Sequence, residues 1–406
     1  MTHALSTLSR CWRALCALAA VAALATGCGG GATDSGVGGG GTGSPLSFSQ
    51  GPITGFGSII VNGVHFDDSG ASVVDDDGNA LVGSKSLRLG TVVEVQGGVV
   101  TNGATAASAI HVHVDLVGPV TAAYDATSGR LAVLGQPVRV LALTALDAFS
   151  GGAASIPVGS VVAVSSLYDK ATGVYVATRI DPAPNAVRFA IRGAPSAVDS
   201  AAATFTIGAA TFSDGGVAPP AGFAAGQLVR AVLATAVDSH GRWVVTAFGQ
   251  AVPSLPDGRR GGLEGVVNSA TDATHFVVSG VSVDASGAAV TPAGSAIAVR
   301  SRVEVQGTIV AGVLVATSVQ VDASDDGQDD HGGDGGNRFQ IDGAIVSLDT
   351  AHQTLTMRGP TTVDYATASF SSGTSADLAV GKEIEVKGNL SADGTQVIAT
   401  QVKFDH

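Results

Sequence analysis

Two histidines and an aspartate at alternating positions are the residues of this sequence best suited to chemistry. His111, His113 and Asp115 occur in the segment IHVHVD, and alternate residues of a strand share one face. Two imidazoles and a carboxylate on one face could approach a divalent ion. A similar segment further along carries Arg179 and Asp181 at the same positions, so the pattern also fits the polar outer face of a strand. We favour the solvated face over the metal site.

A second candidate site consists of oxygen-bearing side chains that alternate before a glycine. Asp322, Ser324 and Asp326 precede Gly327, which resembles the start of a calcium-binding loop. The twelfth position, where a bidentate Glu belongs, is Gly333. We therefore predict weak calcium binding at most, favour a solvated acidic linker, and expect no other cofactor.

Glutamates also recur, at Glu94, Glu304 and Glu385, each alone between apolar neighbours. Acid–base catalysis needs a second carboxylate at a defined spacing, which these positions lack. We expect them to face outward and to discourage edge-to-edge pairing of strands. The acidic run DDDGN at 75–79 predicts a tight hairpin turn, with Asp-Gly at the bend.

Familiar catalytic motifs are missing from the sequence. It contains no G-x-S-x-G, H-E-x-x-H or C-x-x-C, and its glycine run at 36–43 lacks the flanking strand and helix of a phosphate loop. We therefore predict a protein that is not an enzyme. The alternative is an active site assembled between modules, which a single sequence does not reveal.

The first residues have the pattern of a signal for export from the cytoplasm. Arg10 and Arg13 precede an apolar run at 14–25 that has the length of a secretory core and is too short to span a bilayer. Small residues then precede Cys28, as in a bacterial lipobox, so we predict a signal peptide at 1–27 and lipid attachment at Cys28. Gly29 favours the outer membrane. The alternative is a plain signal peptide with an incidental cysteine.

Composition and charge agree with an exported β-protein. The chain has 406 residues and 56 glycines, with only 5% aromatic and 14% charged residues, which favours short strands and frequent turns. Its other two cysteines, Cys11 and Cys16, lie in the signal peptide, so the fold must do without disulfides. The formal net charge of −13 argues against nucleic acid as a partner.

One pattern recurs about five times after residue 50. A strand ends in glycine at Gly63, Gly135, Gly208, Gly280 and Gly359, and later alternating strands include VEVQG and IEVKG. Each unit offers five or six short strands and no convincing helix. Closure into a small OB-like barrel would remove exposed sheet edges, and pairing of neighbouring units into sandwiches is the alternative.

The predicted fold class is therefore all-β, with about five tandem OB-like barrels after a cleaved signal helix and a Gly-rich tether. The predicted ranges are signal peptide 1–27, tether 28–49, modules 50–117, 118–186 and 187–250, linker 251–262, module 263–322, acidic linker 323–337 and module 338–406. The second and third modules are the divergent ones.

The repeated order of glycines, alternating strands and V-E-V-x-G resembles a bacterial family known as domain of unknown function 5666. The first, fourth and fifth units carry it most fully, as in VEVQG at 93–97 and 303–307 and IEVKG at 384–388. The second and third units lack the Glu and the terminal Gly. The resemblance implies small β-barrels, often in tandem in envelope lipoproteins, and it brings no catalytic residues.

These observations predict a non-enzymatic cell-envelope lipoprotein whose barrels serve as spacer or binding units. The membrane is the expected partner, through the lipid, with a protein or glycan partner left open. The alternatives are an OB-like glycan- or peptide-binding protein and a weakly calcium-dependent adhesion module.

Overall fold

Runs of alternating apolar and polar side chains become β-strands in the computed structural model of the chain. The structure describes residues 46–81, 86–322, 339–358 and 361–404. These ranges contain strands and short 3₁₀ segments, as at Gly152–Ser155 and Ser375–Asp377, and no α-helix. The predicted all-β class is confirmed.

The strands fall into five successive sets. The first set is β1 (Leu46–Pro52), β2 (Gly55–Phe56), β3 (Ile59–Val61), β4 (Val64–Asp67), β5 (Ser72–Asp75), β6 (Val92–Val99) and β7 (Ala104–His113). The second is β8 (Leu116–Asp125), β9 (Arg130–Val133), β10 (Gln136–Ala145), β11 (Val161–Asp169) and β12 (Val174–Pro182). The third is β13 (Phe189–Gly193), β14 (Ala197–Asp199), β15 (Thr204–Ile207), β16 (Ala210–Ser213), β17 (Val229–Val237) and β18 (Trp243–Gly249).

The last two sets repeat this arrangement. The fourth is β19 (Arg260–Ala270), β20 (His275–Val278), β21 (Val281–Asp284), β22 (Ala289–Thr291), β23 (Arg302–Val310) and β24 (Val313–Val321). The fifth is β25 (Phe339–Ala344), β26 (Ser347–Asp349), β27 (Thr354–Thr356), β28 (Thr362–Asp364), β29 (Ser369–Ser371), β30 (Glu383–Leu390) and β31 (Gln396–Phe404).

Each set closes into a small barrel with the same strand order. In the second set, β8 pairs with β9, β9 with β10, β10 in parallel with β12, β12 with β11, and β11 again with β8. The other four sets have the same ring, with the first or third strand broken in two by a bend. The third barrel therefore keeps the common fold although its sequence is the most divergent. This closure is the OB-like one predicted from the sequence.

Four of the five glycines that marked the repeat lie in tight turns between the second and third strands, and Gly359 lies outside the described residues. Asn62-Gly63, Leu134-Gly135 and Ser279-Gly280 form two-residue loops in which both residues have positive φ. Such turns match the twist of the flanking strands, and their second position favours glycine. The glycine that recurs in the sequence thus marks the same hairpin turn in successive barrels.

Opening strands join the barrels to one another. The first barrel's β1 pairs in parallel with β19 of the fourth, its β2 pairs with β25 of the fifth, and β8 pairs with β13 across the second and third. The first and fifth barrels share one continuous apolar core, and the second and third share another. The described residues belong to one compact unit.

Two strands begin earlier than the predicted module boundaries. Strand β1 starts at Leu46, inside the range assigned to the tether, and β19 starts at Arg260, inside the range assigned to the linker. The reason is the same in both cases, because Ser47 pairs with Arg260 in the parallel ladder between these two strands. The same residues also pair within their own barrels, Ser47 with Gly97 and Arg260 with Thr308, and the polar, glycine-rich composition hid both pairings.

Candidate functional site

The densest group of charged side chains lies where the first three barrels meet. We call it the junction cluster, and its members are Asp76, Glu94, His113, Asp115, Arg192 and Arg230. All six side chains are at most 10% exposed. The first barrel supplies the turn after β5, one residue of β6 and the last residue of β7, whereas the two arginines face each other on β13 and β17. The first and third barrels therefore bury their charges against one another, together with Asp115 in the link between the first and second barrels.

Asp76 is the centre of the junction cluster. Its Oδ1 accepts hydrogen bonds from His113 Nδ1 at 2.8 Å and from Arg192 Nη2 at 2.6 Å. Its Oδ2 accepts from the backbone N–H of Val114 at 2.9 Å, and Arg230 Nε lies 3.7 Å away. A carboxylate with this many donors is stabilised in its ionised form.

Asp115 occupies the other side of the Arg192 guanidinium. Its Oδ1 lies 3.2 Å from Arg192 Nε, and its Oδ2 accepts a 2.5 Å hydrogen bond from Ser166 Oγ of the second barrel. Arg192 Nη1 also donates to the carbonyl oxygen of Ala251 at 2.5 Å. One arginine thus ties together the first barrel, the link to the second barrel, and the segment after the third.

The pKa shifts follow from this burial and pairing. Burial alone would raise the pKa of Asp76, but the hydrogen bond from His113 and the charges of Arg192 and Arg230 hold it well below its ordinary range. Burial alone would lower the pKa of His113, yet the hydrogen bond to Asp76 and the nearby carboxyl group of Glu94 raise it. Burial raises the pKa of Asp115 in spite of the nearby guanidinium. The carboxyl groups beside the histidine therefore favour its protonated form.

A metal-like triad is present, but its members differ from the predicted ones. Ligand atoms of Asp76, His111 and His113 lie within 4.8 Å of one another, whereas Asp115 bonds to Ser166 instead. His111 Nε2 donates to the carbonyl of Asp75 at 2.8 Å, so that nitrogen carries its proton. The guanidinium 2.6 Å from Asp76 holds the place of a cation. The donor set is committed to ion pairs, which fits a structural cluster better than a metal site.

The predicted solvated face is wrong for the first two barrels. His113 and Asp115 are buried, and in the second barrel Arg179 is only 1% exposed, while Asp181, at the strand position of His111, is partly buried. In the fourth and fifth barrels the corresponding Gln320 and Lys403 are exposed, as expected. The difference arises because neighbouring barrels cover this strand in the first two copies.

The repeated glutamates also have three different surroundings. Glu94 is buried with its Oε2 3.8 Å from His113 Nε2, so the expectation that it faces outward is wrong. Glu304 is partly buried directly opposite Glu264 of the neighbouring strand. Glu385 is partly buried between lysines on β30 and β31. Equivalent positions in the repeat therefore diverge according to what packs on them.

The turn at 75–79 forms as predicted. Asp75 Oδ1 accepts hydrogen bonds from the backbone N–H groups of Asp77 and Asn79, and Gly78 adopts a positive φ of 78°. The sequence did not reveal that this turn inserts Asp76 and Asp77 against the third barrel. Arg230 Nη1 donates to Asp77 Oδ1 at 2.7 Å.

Sequence reasoning missed a second buried cluster, here called the Arg179 cluster: Arg88, Asp147, Arg179, Asp181 and Thr361. Arg179 bonds to Asp147 and Asp181 at 2.6 Å each, and its Nη1 donates to the carbonyl of Leu89 at 3.0 Å. Thr361 of the fifth barrel donates to Asp147 at 3.0 Å. The available signal was an arginine inside apolar strands, as in VATRID and AIRG, where an unpaired charge is not tolerated.

Of the calcium-site candidates, Asp322 lies 3.4 Å from Arg302 Nε, while Ser324 and Asp326 lie outside the described residues. The predicted signal peptide, Cys28 and the acidic linker at 323–337 also lie outside them. Among the described residues, none belongs to a helix long and apolar enough to cross a bilayer.

Comparison with known proteins agrees with the repeated architecture. The family model described as Domain of unknown function (DUF5666) matches residues 50–111, 117–181, 264–320 and 342–403. These segments coincide with the first, second, fourth and fifth barrels, and they cover more than half of the chain. No curated protein matches it. The third barrel, which lies between the second and third matched segments, has the same strand order as the matched barrels. The chain therefore belongs to the DUF5666 family, with four matched modules.

Proposed function

We propose that this protein is a non-enzymatic lipoprotein of the cell envelope, anchored to the outer membrane through Cys28, whose barrels act together as one rigid spacer and binding unit. The observation that carries the proposal is the cross-barrel bonding: Arg192 joins the third barrel to the first, and Arg179 joins the second to the fifth through Asp147. Barrels that moved independently would not bury charged side chains at their contacts, because a buried charge that loses its partner costs several kcal/mol.

The junction cluster supports a structural role over catalysis. Its carboxylates are already bonded to arginine or histidine, and its side chains are shut away from solvent. A catalytic acid or base needs access to substrate, and these groups have little. The formal charge of −13 and the burial of Arg179, Arg192 and Arg230 support a partner other than nucleic acid.

The anchor is tested by replacing the thiol. In a bacterial host, Cys28→Ser should move the protein from the membrane fraction to the soluble fraction and abolish incorporation of labelled palmitate, because acylation requires the thiol. The variant should keep the circular dichroism spectrum of the wild type. A Cys28→Ser protein that stays in the membrane fraction would disprove the anchor.

Rigidity is tested separately by limited proteolysis of the full chain. One rigid unit predicts early cuts outside the barrels and a resistant core, whereas independent beads predict a ladder of single-barrel fragments. An Arg192→Met variant should give less of the resistant core and more of the single-barrel fragments.

A further inference from the structure

An open cleft lies between the second and third barrels, away from both charged clusters. Its cavity volume is about 490 Å³, within the range of small-molecule sites. It is bounded by Thr121 and the β9–β10 turn of the second barrel, and by the β15–β16 and β17–β18 turns of the third. Three hairpin ends therefore converge on one space.

Trp243 forms the aromatic wall of this cleft. It is partly buried at the start of β18 and packs edge-to-face on Phe189, with the ring centroids 5.6 Å apart. The other tryptophan of the chain, Trp12, lies in the predicted signal peptide. An indole that packs on Phe189 and also borders an open cleft offers a rigid flat surface at little entropic cost.

Small residues stand around the indole. Gly135, Ala209 and Ala210 come from the two hairpin turns, and none of them fills the cleft. Gly135 has a positive φ of 75°, and a Cβ there would lie 3.4 Å from the Cβ of Ala210. The two turns thus approach closely while leaving the space over Trp243 free for a flat ligand.

The polar groups of the cleft carry little net charge. Arg242 bonds to Asp238 at 2.8 Å through Nε and through Nη2, which pairs its charge within the same turn. His240 is 71% exposed, and Thr121 and Thr211 are exposed residues, of which Thr121 accepts a hydrogen bond from the backbone N–H of Gly135 at 3.0 Å. Such a lining suits a neutral ligand rich in hydroxyl groups, because it offers hydrogen bonds without a charge to match.

We propose that this cleft binds a neutral saccharide, with the C–H face of one sugar ring stacked on Trp243 and its hydroxyls bonded to His240 and Thr211. The proposal goes beyond the proposed function, since it requires neither the lipid anchor nor the junction cluster. A failure of saccharide binding would therefore leave the anchor and the rigid unit untouched.

The test uses the full chain, purified in a detergent without sugar groups. Maltotetraose and an N-acetylglucosamine tetramer are titrated separately, with Trp243 fluorescence and calorimetry as the two readouts. We expect at least one of them to change the fluorescence and to bind with a Kd below about 1 mM.

Variants locate the site. Thr211→Tyr fills the cleft from an exposed position and should weaken binding by about tenfold or more. Trp243→Phe keeps packing on Phe189 but shrinks the stacking surface, and it should weaken binding in calorimetry. Thr235→Tyr makes the same change at an exposed position of β17 outside the cleft, and it should bind like the wild type. No binding of either saccharide, or undiminished binding by Thr211→Tyr, would overturn the proposal.

Discussion

Arg192 and Asp76 are 116 residues apart in the chain and yet form a 2.6 Å hydrogen-bonded ion pair. Their side chains are 10% and 6% exposed. The whole second barrel lies between them in sequence, so the pair joins the third barrel to the first independently of the chain connection. A buried pair of this kind matters most when one partner is lost, because the other is left as an unpaired charge.

Arg192→Met should therefore destabilise the protein by about 3–5 kcal/mol, since it leaves Asp76 and Asp115 with fewer partners. Arg188→Met is the matched control: it removes an exposed arginine from the same strand region, where Arg188 Nη2 lies 2.8 Å from Asp77, and should cost about 0–1 kcal/mol. Urea unfolding followed through Trp243 fluorescence measures both. Equal, small losses in the two variants would show that the junction cluster does not hold the barrels together.

A glycine at the contact of the first and second barrels gives a second prediction. Gly90 and Gly103 both have φ of 78°, so alanine at either position is strained by about 1–2 kcal/mol. A Cβ at Gly90 would lie 2.2 Å from the carbonyl oxygen of Thr178, whereas one at Gly103 meets nothing within 4 Å. Gly90→Ala should therefore lower the melting temperature clearly more than Gly103→Ala. Equal shifts in the two melting temperatures would mean that the barrels separate easily at this contact.

The barrel was predictable from sequence because its signals are local. Alternation in segments such as VEVQG fixes which face is buried, and Gly63 and Gly280 mark hairpins that need positive φ. These signals repeat along the chain, in weaker form in the second and third units, so even the divergent third barrel could be placed. The number of barrels and their fold follow from short-range chemistry.

The junction cluster was not predictable, because its parts come from the first barrel, the third barrel and the link between the first and second. The spacing of His111 and His113 did point to the right strand, but their carboxylate partner is Asp76, from a turn whose sequence has a sufficient local explanation. Nothing local distinguishes the buried Glu94 from the partly exposed Glu385 at the same repeat position. The side chains that cover a strand depend on how the barrels pack against one another. The sequence pattern of one barrel does not show that packing.

His113 makes stability depend on pH. Its pKa is raised relative to the ordinary value near 6.5, so the folded state binds this proton more tightly than the unfolded chain does. The resulting stability is fully present below about pH 6.5 and is lost as the pH rises through the raised pKa. Urea midpoints measured between about pH 5 and 9 should fall across this window in the wild type.

His113→Gln should remove that fall and lower stability mainly on the acidic side. The imidazole is surrounded by Glu94, Arg192, His111 and Asp76. The pKa of Asp115 is also raised, so this group changes the stability of the protein from about pH 4 upward. The difference between wild type and variant isolates the histidine from these groups. A wild-type curve that is flat from pH 6 to 9 would show that folding does not raise the pKa of His113.

Glu304 and Glu385 occupy the same repeat position and should respond oppositely to neutralisation. Burial raises the pKa of Glu304, and Glu264 and Asp322 add to the shift. Its ionised form is thus unfavourable in the folded state, so stability falls as the pH rises above about 4.5. Glu304→Gln should be more stable than the wild type at pH 7, by a few tenths of a kcal/mol to about 1 kcal/mol, because it removes a like-charge pair between adjacent strands.

Glu385 also has a carboxylate opposite it, Asp342 on β25, but its other neighbour is Lys403 on β31, where the fourth barrel has Gln320. Hydrogen bonding to Lys387 and Lys403 lowers its pKa, so its contribution is present above about pH 4.5 and lost as the pH falls through the lowered value. Glu385→Gln should cost about 0.2–1 kcal/mol at pH 7 and nothing at pH 2. Parallel urea titrations of both variants at the two pH values measure the signs. Shifts of the same sign at pH 7 would mean that the repeat position, and not what packs on it, sets the role of this glutamate.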